Sequence, residues 1–145
     1  MDRKWLLAVG AVDLFILSSL DKLAFRYFLY WKYAWFDVLM HLFGGLAVGL
    51  LSSWAYLELK AAAAQIDPHS WRGLFSFNLI FALVIGLIWE MFEVFADRLV
   101  VFNWFDSGKD VVVGMIGSLL AGLIVGGFKL RSNFKKNIKI DDQQQ

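Results

Sequence analysis

Long apolar blocks alternate along the chain with short polar or aromatic stretches. The blocks lie near residues 5–22, 36–57, 74–95 and 110–128. Each is close to the ~20 residues that an α-helix needs to cross a hydrocarbon core about 30 Å thick. The pattern predicts an all-α, polytopic membrane protein, with four transmembrane helices in a compact bundle forming one domain over residues 1–128. The first block follows Arg3 and Lys4, as a signal peptide would. However, Asp13 interrupts it and no small-x-small cleavage site precedes Asp21-Lys22, so it reads as a retained span. Residues 23–35 (LAFRYFLYWKYAW) mix Trp and Tyr with Arg and Lys, the makeup of an interfacial belt. Residues 58–73, with AAAAQIDPHS, predict a polar loop that turns at Pro68. From Lys129 the chain is basic and then ends in DDQQQ, which predicts a disordered tail over residues 129–145.

Composition sharpens this reading. Hydrophobic residues make up 59% of the 145, against roughly 45–50% in soluble domains, so the blocks exceed what one small core would absorb. A formal net charge of +1 argues against nucleic acid as a partner and leaves membrane lipids as the expected surroundings. The absence of cysteine excludes disulfides and thiolate metal sites. With four spans, Arg3, Lys4, Lys60, Arg72 and the basic tail share one side, and Lys22, Arg26, Lys32, Arg98 and Lys109 share the other. The richer side is expected to be cytoplasmic, which puts both termini in the cytoplasm of a multi-pass plasma-membrane protein.

Small residues recur at every fourth position. The second block carries Asp37, His41, Gly45, Gly49 and Ser53, and the third Asn78, Ala82, Gly86 and Glu90. The fourth carries Asp106, Asp110, Gly114, Ser118, Gly122 and Gly126. Residues four apart share a helix face, and stripes of small residues let helices approach closely in lipid. Val125 lies off its stripe and is expected to tolerate a larger side chain. All three stripes lead to ionisable residues at the outer side.

Those residues are the candidate site. Asp37, Asp106 and Asp110 lie near helix N-termini, where each gains about 0.3–1 kcal/mol from the dipole. Glu90 and Glu93 lie at a helix C-terminus, where the dipole opposes them. An ionised carboxylate at membrane depth costs at least about 2.5–3.5 kcal/mol, so Glu90 needs a proton, a metal ion, or a cation such as Arg98 or Lys109. A shift of 69 residues, from Asp37 to Asp106, also superposes Trp35-Phe36-Asp37 on Trp104-Phe105-Asp106, His41 on Asp110, Gly45 on Gly114 and Asp21 on Glu90. Two hairpins related by an axis along the membrane normal would give this. So would a restricted alphabet with two aromatic-anchored helix starts.

FDVLMHLFGG, WEMFE and WFDSGKDVVVGMIGSLL together resemble the signature of YjdF-like bacterial membrane proteins: aromatic-Asp-x3-His-x2-Gly, a Glu-x2-Glu helix end, and a Trp-Asp-Ser/Thr-x2-Asp segment before a glycine-rich span. The chain departs from that signature where Phe105 separates the Trp from the Asp. It is more distantly similar to VanZ-like proteins. The resemblance covers about residues 36–125 and implies a small bacterial inner-membrane protein whose matching positions are Asp37, His41, Glu90, Glu93, Asp106 and Asp110.

Three functions follow from the residues. Asp37, His41, Glu90, Asp106 and Asp110 are candidate ligands for a divalent ion, since carboxylates with one imidazole suit Mn, Mg, Fe or Zn. Glu90 and Glu93 are then the candidate catalytic carboxylates, acting on a lipid or cell-envelope precursor headgroup at an activated water. Alternatively, Asp13, Glu90 and His41 relay protons or carry a cation, and a homo-oligomer would be needed to wall the pore. Finally, the acids pair with Arg98, Lys109 and Lys32 and fix the helix register. Ser18, Ser19, Ser52, Ser53 and Ser107 form no Ser–His–acid arrangement, and His69 falls in the opposite loop.

Overall fold

A computed structural model describes residues 4–63, 71–95 and 104–143, with side chains over 4–61, 71–95 and 104–127. The described residues are helical apart from Phe28 and Tyr33 and contain no strand. The elements are α1 (Lys4–Tyr27), α2 (Leu29–Lys32), α3 (Ala34–Ala63), α4 (Trp71–Phe95) and α5 (Trp104–Gln143). Pro68, His69 and Arg98 lie outside the described residues.

Three stretches are long and apolar enough to cross a membrane: 34–61, 71–95 and 104–127. The helix expected to be a fourth span is present as α1 and is 24 residues long. It is not among those three, because Lys4, Asp13, Asp21 and Lys22 spread charge along it, leaving no apolar stretch long enough. Two loop boundaries also differ from expectation. The alanine run carries α3 on to Ala63, with Lys60 Nζ 4.8 Å above the Tyr56 ring one turn back. The tail expected to be disordered continues α5 to Gln143. Nucleation is the costly step of helix formation, and an already formed helix extends through a Lys-rich segment that contains neither Gly nor Pro.

The aromatic stretch makes a tight helical corner. Phe28 adopts the left-handed conformation (φ 58) and reverses the chain between α1 and α2. Around it Phe25 packs on Tyr30 and Trp31, Phe28 on Trp31, and Tyr30 on Phe36.

α3 and α5 form the central pair, with α1 on α3 and with α4 on both. Glycine sets their separation. A Cβ on Gly45 would fall on the Gly114 carbonyl, one on Gly49 would lie 2.7 Å from the Ser118 Cα, and one on Gly117 would meet the Leu42 carbonyl. Two of these contacts, Gly45 to Gly114 and Gly49 to Ser118, join residues 69 apart. The helices therefore touch in the register of the 69-residue shift.

Along the bundle the chemistry is layered. At the end where α1 and α4 start, Leu6, Leu50, Leu74, Ala121 and Val125 form an apolar plug. Val125 is 1% exposed, which corrects its expected place off the packed face. Above the plug is a polar clamp. The Ser52 hydroxyl donates to Asn78 Oδ1 (2.9 Å), Asn78 Nδ2 donates to Ser53 (2.9 Å), and the Ser118 hydroxyl donates to the Asn78 carbonyl (3.1 Å). The third layer holds the acids and His41. Outward-facing positions are largely apolar, among them Phe15, Ile80, Ile88, Met91 and Leu123, which suits lipid contact.

Candidate functional site

Helix direction collects the acids at one end of the bundle. α3 and α5 begin there, with Asp37 and Asp106 in their first turns. α4 ends there, with Glu90 and Glu93 in its last two turns. The close α3–α5 approach at Gly45 and Gly114 lies one turn below His41 and Asp110, so the glycine contact also sets the distance between those two side chains.

His41 is the hub. Its Nε2 lies 3.6 Å from Asp37 Oδ1 on its own helix and 3.8 Å from Glu90 Oε1 on α4. Two groups of potential ligand atoms share it: Asp37, His41 and Asp110, and His41, Glu90 and Glu93. Within each group the atoms lie within 4.8 Å of one another. These groups could hold a metal ion. Glu90 Oε1 and Asp110 Oδ1 are buried and have no hydrogen-bond partner, on residues only 6% and 4% exposed. Ser107 is buried at the head of α5, beside Glu90.

Asp106 belongs to neither group. Its side chain is half exposed, and the Lys109 ammonium holds it at 2.6 Å. The same ammonium lies 3.4 Å from Asp110 Oδ1. It thus sits at the rim and adds positive charge above the cluster. Among the expected ligands, Asp37, His41, Glu90 and Asp110 converge with Glu93, while Asp106 faces out.

No pattern of residues announces the cavity beside the cluster, which has a volume of about 280 Å³. Helices α1, α3, α4 and α5 line it, and Tyr30 of α2 closes one side. The Tyr30 hydroxyl donates to Asp21 Oδ1 at 3.0 Å. Burial, then the neighbouring Asp21 carboxylate, pushes the Tyr30 phenol above its ordinary value, which keeps it a proton donor. Asp21 and Tyr30 are 9 residues apart across a corner that only the left-handed Phe28 creates, so periodicity does not bring them together.

A family model described as "Predicted membrane protein (DUF2238)" matches residues 5–131. No curated protein matches the chain, and no solved structure does.

Proposed function

The chain belongs to this predicted membrane protein family (DUF2238), and we propose that it is a YjdF-like bacterial inner-membrane protein that holds a divalent cation between α3, α4 and α5. The cation faces outward and meets the polar head of a lipid or cell-envelope precursor. The observation that carries this reading is the spacing around His41. Its Nε2 is 3.6 Å and 3.8 Å from two carboxylate oxygens, too far for hydrogen bonds. An ion would be held by one of the two triads that share His41, Asp37 with Asp110 or Glu90 with Glu93, whose ligand atoms lie within 4.8 Å of one another, after a modest inward shift to ligand bonds of about 2.0–2.2 Å. The buried Glu90 Oε1, which has no hydrogen-bond partner, counts against a purely structural charge network, in which buried polar atoms are normally satisfied.

The ligand mix of carboxylates and one imidazole suits Mn, Mg, Fe or Zn. Such an ion lowers the pKa of a bound water and polarises an ester or amide oxygen. Glu93 lines the cavity, which makes it the carboxylate placed to take a proton there, and Glu90 is the inner ligand. In this reading α1 is the fourth span: it packs on α3 where Gly10 meets Leu51 and Ala47. Both termini then lie in the cytoplasm, on the side richer in Lys and Arg.

Metal analysis of detergent-purified protein, after exposure to Mn, Mg, Fe or Zn and removal of excess, tests the reading. One equivalent is expected in the wild type and in Asp106→Asn, and none in His41→Ala. An empty wild type with every ion, or full occupancy in His41→Ala, overturns it.

A further inference from the structure

Two helices line the cavity without closing on each other. Among the described residues, the Cα atoms of α1 and α4 stay more than 8 Å apart, yet both helices form its walls. Leu14 and Ser18 stand four residues apart on α1, and Ile85 and Trp89 four apart on α4. Residues at that step share a helix face. All four are exposed, Leu14 to 42% and Ile85 and Trp89 each to 41%. They are the two rims of an opening that faces sideways between α1 and α4. Behind the rims lie Gly44 and Val48 of α3 and Ala82 of α4, which is 5% exposed. A Cβ added at Gly44 meets nothing within 4 Å, so the space in front of it is one that a side chain would fill.

The opening lies within the depth of the hydrocarbon. Glu93 marks the polar end of the cavity and Ala82 lies toward its deep end. From Glu93 to Ala82, at 1.5 Å per residue, α4 descends about 16 Å. That is roughly half of a ~30 Å hydrocarbon core, the depth of one leaflet. In that layer a side opening meets either a lipid chain or another helix, and size decides between them. A helix with its side chains is about 10–12 Å across, so about 16 Å of it fills roughly 1,300 Å³ or more. The cavity holds about 280 Å³. At ~30 Å³ for a group the size of water, this is room for on the order of nine methylenes, a length of one hydrocarbon chain.

We infer that one hydrocarbon chain of a bilayer lipid enters sideways between α1 and α4 and lies in the cavity along Gly44, Val48 and Ala82. The head of that lipid then stands at the polar end, beside His41 and Asp110. The inference rests on the proposed function for where the chemistry happens. It adds that the substrate is held by its chain and is drawn from the leaflet, not from water. The seat for the chain is apolar and does not need the metal.

The test uses full-length protein in phosphatidylcholine nanodiscs that contain a phosphatidylcholine with a diazirine midway along one acyl chain. Irradiation attaches the chain to whatever it touches, and mass spectrometry of the digest locates the attachments. Phe15 and Ile80, 74% and 61% exposed on the outside of the bundle, report bulk lipid. Val48 and Ala82 report the cavity. Attachment is expected at both pairs. Gly44→Phe, or Gly44→Leu if the first variant does not fold, is expected to cut attachment at Val48 and Ala82 at least tenfold and to leave Phe15 and Ile80 unchanged. No attachment at Val48 or Ala82 in the wild type overturns the inference, as does undiminished attachment there in a folded, cavity-filled variant. A dimer that protects Val48 and Ala82 and comes apart in Gly44→Phe also overturns it, in favour of a second copy of the chain. Chelator treatment separates the two readings. Attachment at Val48 and Ala82 that persists without metal supports the cavity even in a protein with no metal affinity. A wild type that binds one equivalent of metal without such attachment overturns the chain site and leaves the metal site standing.

Discussion

Gly45→Ala should separate the central helices and weaken the ligand cluster together. The added Cβ would lie 2.6 Å from the Gly114 carbonyl carbon and 2.7 Å from its Cα. Ordinary carbon contacts lie at about 3.5–4.0 Å, so the backbones must part by roughly 1 Å. Neither partner is a side chain that can rotate away. Overpacking of this kind costs about 1–3 kcal/mol, and a gap of ~0.5–1 Å forfeits a quarter to a half of each neighbouring dispersion contact, including those of Gly49 with Ser118 and Ala121. Alanine gains little in return, because a helix in lipid keeps its backbone bonds even when the bundle comes apart. The net expectation is a loss of about 1–3 kcal/mol. Unfolding in SDS followed by tryptophan fluorescence would measure it. Gly44→Ala is the internal control, since a Cβ there meets nothing within 4 Å, and its effect should stay within ~0.5 kcal/mol. His41 and Asp110 stand one turn above the wedge, so Gly45→Ala should also weaken metal binding. Equal stability of the two alanine variants would refute the close-approach argument.

Asn78→Leu leaves the Ser52 and Ser53 hydroxyls without their shared partner; at about 0.6 kcal/mol per interhelical hydrogen bond, it should cost roughly 1 kcal/mol in the same SDS titration. Val125→Phe enlarges a fully buried side chain in the apolar plug and should destabilise by about 1–3 kcal/mol, whereas Leu123→Phe, exposed on the same helix, should be neutral. Glu90→Gln keeps the shape and loses the charge; isothermal titration should show at least a tenfold loss of metal affinity with an unchanged unfolding midpoint. Reporter fusions at residue 1 and after Gln145 should both read as cytoplasmic, and opposite readings would remove α1 from the membrane.

The bundle was legible because apolar block length speaks directly to helices in lipid. So was the central packing: the four-residue steps through Gly45, Gly49, Gly114 and Ser118 mark the face on which α3 meets α5. The gathering of Asp37, His41, Glu90 and Asp110 followed from helix direction alone. What stayed hidden depends on three-dimensional detail that periodicity does not carry. Asp106 shares a stripe with Asp110, yet it lies in the first turn of α5 and turns to Lys109. Val125 is buried because Leu6 and Leu74, from two other helices, meet it. The left-handed residue at Phe28 has no glycine or asparagine to announce it, so neither the corner nor the Tyr30–Asp21 bond it creates was readable.

The 69-residue register places the candidate site on this pair of helices. Equivalent positions face each other along α3 and α5. Where both members are small, as at Gly45 and Gly114, the helices touch. One turn higher the equivalent pair is His41 and Asp110, which differ. Identical residues there would set like against like, two imidazoles or two carboxylates across a short gap. An imidazole opposite a carboxylate instead supplies two kinds of ligand to one point, and Asp37 completes the group from a third position. The outer acids diverge in the same way. Glu90 stays buried with one oxygen free of hydrogen bonds, while Asp21, 69 residues earlier, accepts the Tyr30 hydroxyl and borders the cavity. The packing joins like residues at the glycines, and the candidate ligands sit at the paired positions that differ.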